Sequence, residues 1–270
     1  MLTDYHIHVE RGPYTVDWLR QFYEQAQQVG IKDWGISEHA YRFIETKHIF
    51  WNNWVEPRQT EKMDDYQNMI FRARAEGIKV KFGIEIDFFP GKEKEIKEFI
   101  DRYPFDYVIG SVHWIDQWGI DLSEMKEEWE RRRVEDVWLA YFDRIESLIE
   151  SNLFDIAAHL DLAKIFSYIP TNQEFLQEQY NRIARVLAKR GTCIEISTAG
   201  LRKPVGEIYP HPLLLETCFG QGVPIVINSD AHCPEDVGAD YERALDLARK
   251  IGYKKIQTFT NRKAESHLLG

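Results

Sequence analysis

Cysteine is scarce in this chain. Only Cys193, Cys218 and Cys233 occur in 270 residues, without paired spacing, which excludes a disulfide framework as the source of stability. Long apolar runs are missing too, and no stretch approaches the length that a membrane span requires. Nor is positive charge in excess. The 34 Lys and Arg are outnumbered by 44 Asp and Glu, giving a net charge of −10, so no broad phosphate-backbone surface and no nucleic-acid partner are expected. A small phosphorylated substrate is compatible with this balance, because it needs only a local positive site. Internal repeats, low-complexity tracts and linkers are absent, so residues 1–270 read as one domain. Met1-Leu2-Thr3-Asp4-Tyr5 runs straight into the first motif, leaving no room for a signal peptide; with the unpaired cysteines, this points to a cytoplasmic protein without membrane contact.

What is present alternates in period. At 44% hydrophobic, the chain can bury one substantial core. Val16, Leu19, Phe22, Tyr23 and Ala26 recur at helical spacing before Gly30, a suitable C-cap. Further helices are expected at 64–76, 93–103, 173–190, 212–219 and 242–250. A charged run, 124–135, leads into a long helix reaching about residue 151, its charges suiting a solvated face with i,i+4 pairs. Strands are expected at 31–36, 79–84, from 107, at 154–158, at 192–196 and from 223, with one more short strand at 255–259. The segment 41–58 has no clear period and reads as an extended loop over a site. Trp34 and Trp138 suit buried faces, whereas Trp51, Trp54 and Trp114 are candidates to line a pocket; Cys193 and Cys233 read as packing residues.

Six of the nine histidines lie at the ends of the apolar runs, beside carboxylates. The groups are His6-Ile7-His8, Glu38-His39, Glu85-Ile86-Asp87, Ser111-Val112-His113, His159-Leu160-Asp161, Glu195 and Asp230-Ala231-His232. Residues two apart on a strand share a face, so His6 with His8, Glu85 with Asp87, His159 with Asp161, and Asp230 with His232 are same-side pairs. One His-x-His alone is a weak signal. Seven strand ends carrying such residues are different, because gathering them at one barrel mouth without a cation is costly. The pattern therefore implies a multinuclear metal hydrolase. His48, His211 and His267 lie outside it; His48 and His211 are either substrate contacts or ordinary loop residues.

The ordered set His6-x-His8, Glu38-His39, Glu85, Ser111-x-His113, His159-x-Asp161 and Ser229-Asp230-Ala231-His232 resembles the PHP (polymerase and histidinol phosphatase) superfamily over nearly the whole chain. The strings 103–113, His159-Leu160-Asp161-Leu162 and 198–204 narrow the resemblance to its stand-alone histidinol-phosphatase branch. The resemblance implies an α/β fold, a distorted (β/α)7 TIM-like barrel with up to three metals at the C-terminal strand ends. It also implies hydrolysis of L-histidinol phosphate in histidine biosynthesis. Carried over, His6, His8, Glu85 and Asp230 hold a first metal; Glu85 bridges to a second, completed by His113 and His159; His39 and His232 hold a third. A hydroxide shared by two divalent cations is nucleophilic near neutral pH, and imidazole with carboxylate suits Zn, Fe or Mn.

One departure stands out. Many members of this branch carry a third-site histidine six residues after the His-x-His, where this chain has Tyr14. Glu10, on the same loop, is either the replacement ligand or a solvent-facing residue. Arg202 is the expected phosphate contact, with Lys164 or Arg11 adding positive charge. Asp161 either protonates the leaving alkoxide or orients a ligand histidine, and Glu195 is a candidate for the latter role. Three rival readings remain: a phosphatase of this fold for another small ester, a metal-dependent amidohydrolase, and a non-catalytic metal-binding PHP module. An amidohydrolase wants a bridging lysine where this chain has Glu85.

Overall fold

The apolar runs become the staves of a parallel ring. The structure, a computed structural model, describes residues 1–269. Seven strands, β1 (Thr3–Asp4), β2 (Asp33–Ile36), β3 (Lys81–Asp87), β4 (Tyr107–Ser111), β5 (Ile156–Ala157), β6 (Cys193–Ser197) and β7 (Ile225–Asn228), pair in chain order. Every pairing is parallel. β1 and β7 share no ladder, yet the ring nearly closes just beyond their ends. His8 N donates to Ala231 O (2.8 Å), Ala231 N to His6 O (3.1 Å), and Tyr5 N to Asn228 Oδ1 (2.8 Å). The distorted seven-stranded barrel expected from the sequence is present.

Helices α1 (Val16–Gln28), α2 (Met63–Ala75), α3 (Glu93–Ile100), α4 (Val134–Ser151), α5 (Gln173–Arg190), α6 (Pro212–Gly220) and α7 (Tyr241–Ile251) lie between the strands. Their ends follow local chemistry. Thr15 caps α1 by accepting from Trp18 N, Asn172 caps α5 through Phe175 N, and Gly191 (φ 71) closes α5 by donating to Leu187 O. Each buries one stripe, for instance Leu19, Phe22 and Ala26 of α1.

Inside the ring, Tyr5, Tyr107, Ile109, Ile156, Ala158, Cys193 and Val226 form a separate core with Phe259. Tyr107 occupies space left by two glycines: a Cβ at Gly83 would sit 2.2 Å from its ring, and one at Gly35 2.6 Å from its hydroxyl. The Tyr107 hydroxyl donates to Tyr5 O (2.6 Å). Phe259 comes from an antiparallel hairpin, β8 (Lys255–Thr260) with β9 (Lys263–Leu268), that plugs the N-terminal end of the barrel. The strand at 255–259 was expected, but its partner was not, because Lys-Ala-Glu-Ser-His-Leu is polar and exposed.

Two further segments depart from expectation. The charged run forms a 3-10 stretch, Ser123–Arg131, and α4 starts only at Val134, although the exposed Arg131–Glu127 and Arg132–Glu128 pairs are the solvated face anticipated. The 41–58 segment is ordered by short 3-10 turns and an aromatic cluster in which Phe50 stacks on Phe89 (4.1 Å) and tilts against Trp114 (5.0 Å). No helix among the described residues is long and apolar enough to cross a membrane.

Candidate metal centre

The six expected histidines and Asp230 leave the C-terminal ends of strands and turn over the mouth, Glu85 still pairs with Ile109 within β3, and Glu10 lies on the loop after His8. Asp230 takes a left-handed conformation (φ 51), unusual for a residue with a side chain, and His159 sits at φ 21. Such backbone is held only where its surroundings fix it, and it clusters at functional sites. It also breaks the two-residue rule: His159 and Asp161 do not share a face.

Glu85 is the hub. Its Oε1 lies 3.3 Å from His6 Nε2, 3.4 Å from His159 Nε2 and 3.7 Å from His113 Nε2; its Oε2 lies 2.6 Å from His39 Nδ1 and 3.7 Å from His8 Nε2. Asp230 Oδ1 approaches His8 Nε2 (3.4 Å) and His6 Nε2 (3.6 Å). Three groups bring their ligand atoms within 4.8 Å of one another: His6-Glu85-His159, His6-His8-Asp230 and His8-His39-His232. Burial is severe, with His6 and His8 wholly buried and Glu85 and His159 nearly so. Yet His6 Nε2, both nitrogens of His8, both oxygens of Glu85 and His159 Nδ1 have no hydrogen-bond partner. Buried polar atoms are normally satisfied, so a pool of orphaned donor atoms on imidazole and carboxylate fits divalent cations of the Zn, Fe or Mn type.

The cluster's charges are strongly coupled: although burial lowers them, the neighbouring carboxylates raise His6, His39 and His113 above the ordinary imidazole range, so a cation would displace protons there. Burial pushes Glu85 upward, but His6, His39 and His113 outweigh it and hold the carboxyl well below its ordinary range; Asp230 is held low in the same way by His6, His8 and His232. Burial, with His39 and His232 nearby, lowers His8 to about 3, leaving its imidazole neutral and able to coordinate. Further partners orient the ligands. Glu195 accepts from His6 Nδ1 (2.9 Å) and from His159 N (3.2 Å), and Asp87 pairs with His113 Nδ1 (2.8 Å).

The comparisons with known proteins can now be read. The model of the PHP domain matches residues 4–199. A Deinococcus radiodurans protein named as a probable histidinol-phosphatase is 30% identical over 98% of both chains. The histidinol-phosphatase of Lactococcus lactis is 27% identical, over 98% of this chain and 96% of that one. The chain belongs to the PHP domain family. In structure it resembles the L. lactis histidinol phosphate phosphatase solved with Zn, L-histidinol and phosphate, with a TM-score of 0.80, 22% identity and 98% of each chain covered.

Within the PHP frame the departure at Tyr14 has a local account. The Tyr14 hydroxyl donates to Glu38 Oε2 (3.2 Å), and its ring packs on Phe43 and Tyr66, away from the histidines. Glu10 instead lies 3.8 Å from His39 Nε2 and 3.7 Å from His232 Nε2. Burial opposes its charge, but His39, His8, His232 and Arg42 prevail and hold it at about 2. Arg42, 3.9 Å from Glu10 and 3.8 Å from Glu38, was not anticipated; the only signal was its i,i+4 spacing from Glu38. Asp87 and Glu38 were noted as strand-end carboxylates without a role, and both prove to hold neighbouring elements of the site.

The remaining candidates sit differently. Arg202 reaches Ser229 O (2.7 Å) through Nη2 and Asp236 (3.5 Å) through Nε, leaving Nη1 buried and unpaired beside the Asp230 loop. Asp161 and Lys164 belong to none of the three ligand groups. Asp161 Oδ2 accepts from Lys164 Nζ (3.0 Å) and His211 N (2.7 Å), while Lys164 also reaches Ile208 O (2.8 Å) and Glu207 (3.4 Å). Those contacts occupy the ammonium that the sequence reading offered to phosphate. Arg11 is exposed. His211 Nδ1 accepts from Leu213 N at the start of α6, His267 bonds Thr258 within the hairpin, and His48 is exposed.

Proposed function

We propose that this chain is a metal-dependent phosphomonoesterase that hydrolyses L-histidinol phosphate to L-histidinol and phosphate, a step of histidine biosynthesis. The observation that carries the reading is the knot of buried, unpaired imidazole and carboxylate atoms around Glu85. The family and the relatives' named activity give the substrate. His6, His8, Glu85 and Asp230 would hold one cation, Glu85 with His113 and His159 a second, and His39, His232 and Glu10 a third. Bound cations of this kind lower the pKa of water to make a nucleophile and neutralise phosphoryl oxygens.

The chain's own residues do the rest. Arg202 Nη1, with no partner in the protein, is the donor available to a phosphate oxygen. Glu195 and Asp87 keep His6 and His113 in ligand orientation. Asp161, tied to Lys164 and to the His211 backbone, acts in this reading as a positioning residue for the 207–211 loop more readily than as a proton donor. Residues 1–270 work as one unit, in the cytoplasm, on a small substrate and without nucleic acid. Steady-state kinetics on metal-analysed protein test the reading. L-histidinol phosphate should exceed other phosphomonoesters in kcat/KM; a better ester would reassign the substrate, and cleavage of amides but not esters would make the chain an amidohydrolase.

A further inference from the structure

β1 and β7 lie side by side without a ladder, and one buried side chain stands in for the missing pairing. We propose that Asp4 is the positioning residue for Arg202, aiming its guanidinium through the two segments that Asp4 holds. The proposal rests on the phosphatase reading above, in which Arg202 contacts phosphate, and adds a residue to that site.

Asp4 ends β1, and both it and Ser229 are wholly buried. A carboxylate in that position must find donors, and those it finds come largely from across the seam. Its Oδ1 accepts from Ser229 N (3.0 Å) and His6 N (3.4 Å); its Oδ2 accepts from Ser229 Oγ (2.5 Å) and Gly238 N (3.4 Å). Ser229 directly follows β7, and Gly238 lies in the turn before α7. That turn has little room to shift, because Gly238 has φ +68 and a Cβ there would sit 2.7 Å from Val29 Cγ2.

The same two segments carry the acceptors of Arg202. Its Nη2 donates to Ser229 O (2.7 Å), and its Nε pairs with Asp236 (3.5 Å), two residues before Gly238. Ser229 is therefore gripped by Asp4 at its nitrogen and hydroxyl while its carbonyl grips Arg202. A guanidinium is planar and rigid, so fixing Nε and Nη2 also fixes where Nη1 points. Nη1 is the buried, unpartnered nitrogen assigned to phosphate. Asp4 thus sets the direction of a donor on the opposite side of the seam.

The neighbouring ligand Asp230 has supports of its own. Ala231 N donates to His6 O (3.1 Å), and His8 N donates to Ala231 O (2.8 Å), backbone bonds that do not pass through Asp4. Loosening Asp4 should therefore spare the metals and disturb the phosphate contact.

The test is a double-mutant cycle on holoenzyme, with Asp4→Asn and Ser229→Ala each made alone and together with Arg202→Ala. The amide of Asp4→Asn keeps the shape but replaces one acceptor by a donor, which cannot serve Gly238 N. Small misplacement of a binding group is costly, so kcat/KM for L-histidinol phosphate should fall by about ten- to a hundredfold in Asp4→Asn. Ser229→Ala, which removes only the hydroxyl donor, should cost about three- to tenfold. Calorimetric affinity for inorganic phosphate should weaken by similar factors, with metal content unchanged. Once Arg202 is Ala, either change should cost less than about twofold more in both measurements. Additive losses would make Asp4 a residue of the fold alone and overturn the proposal. Loss of metal from Asp4→Asn, or wild-type kcat/KM and phosphate affinity in both single variants, overturns it too. If Asp4→Asn does not fold, the Ser229→Ala cycle decides by the same criteria. If wild type hydrolyses no phosphate ester while phosphate affinity still shows the coupling, the phosphatase reading fails and the positioning role stands.

Discussion

The two ends of the barrel solve the same problem in opposite ways. Both bury charge at the tips of parallel strands. At the N-terminal end, each charge is closed by a partner from the chain: Asp155 takes the Arg262 guanidinium (2.6 Å), Asp106 takes Arg74 (2.5 Å) and Phe82 N (2.9 Å), and Lys81 caps Phe259 O (2.8 Å). At the C-terminal end, Glu85 meets four imidazoles within 3.7 Å at its two oxygens besides His39, and neither oxygen has a hydrogen-bond partner. One end is finished by folding. The other is finished only by what binds. The difference separates residues that hold the fold from residues kept available for chemistry.

Removing the hub should break the open end most severely. Glu85→Ala takes away the carboxylate that the most histidines share, so the protein should lose cations together with activity, by on the order of 10³-fold or more. Elemental analysis beside a phosphatase assay checks this. Retention of both metals with near-normal turnover would remove Glu85 from the centre.

Arg202→Ala is next in size. Its unpaired Nη1 is the donor assigned to phosphate, and losing a charged hydrogen bond costs about 1.5–3 kcal/mol, or about ten- to a hundredfold in kcat/KM. Metal content should hold, because Arg202 touches Asp230 only through its main-chain oxygen (3.5 Å). Wild-type kcat/KM in this variant would dismiss the phosphate role.

At the closed end the effect should fall on stability alone. Arg262 makes two contacts with Asp155 and one with Leu153 O (2.6 Å), joining the hairpin to the barrel floor. Arg262→Ala should cost about 1–3 kcal/mol, discounted toward the lower figure by partial exposure, at about 2–4 °C of Tm per kcal/mol. Its metal content and kcat should match wild type. Chelation, conversely, should lower Tm of both proteins by a similar amount, since bound cations stabilise the end that Arg262 does not touch.

The sequence revealed the open end better than the closed one, and the asymmetry has a cause. Ligand residues must be His, Asp or Glu at strand ends, so His6-x-His8, Glu85, His113 and His159 stand out against Val and Ile whatever the loops do. The plug carries no such restriction: Phe259 and Arg262 are ordinary residues whose role depends on a polar hairpin returning to the barrel floor. Alternation misled where the backbone leaves β5, because His159 has positive φ and Asp161 turns to Lys164.

The smallest expected effect sharpens the comparison within the open end itself. Glu10 stands between His39 and His232, the family resemblance leading one to expect a histidine where this chain has Tyr14, and Arg42 partly offsets its charge from 3.9 Å. An anionic ligand should bias this position toward a harder cation, Mn over Zn. Glu10→Ala should therefore lose only this cation, while the cations held through Glu85 remain and kcat/KM falls less than in Arg202→Ala. Phosphate should restore part of the occupancy by supplying oxygen ligands in place of the missing carboxylate. Anomalous diffraction from wild-type and Glu10→Ala crystals, each with and without phosphate, separates these outcomes. Full occupancy in phosphate-free Glu10→Ala would mean that the imidazoles of His8, His39 and His232, whose ligand atoms already lie within 4.8 Å of one another, suffice alone. Glu10 would then be a partner of Arg42, and this corner of the mouth would be closed by folding in the same manner as the barrel floor.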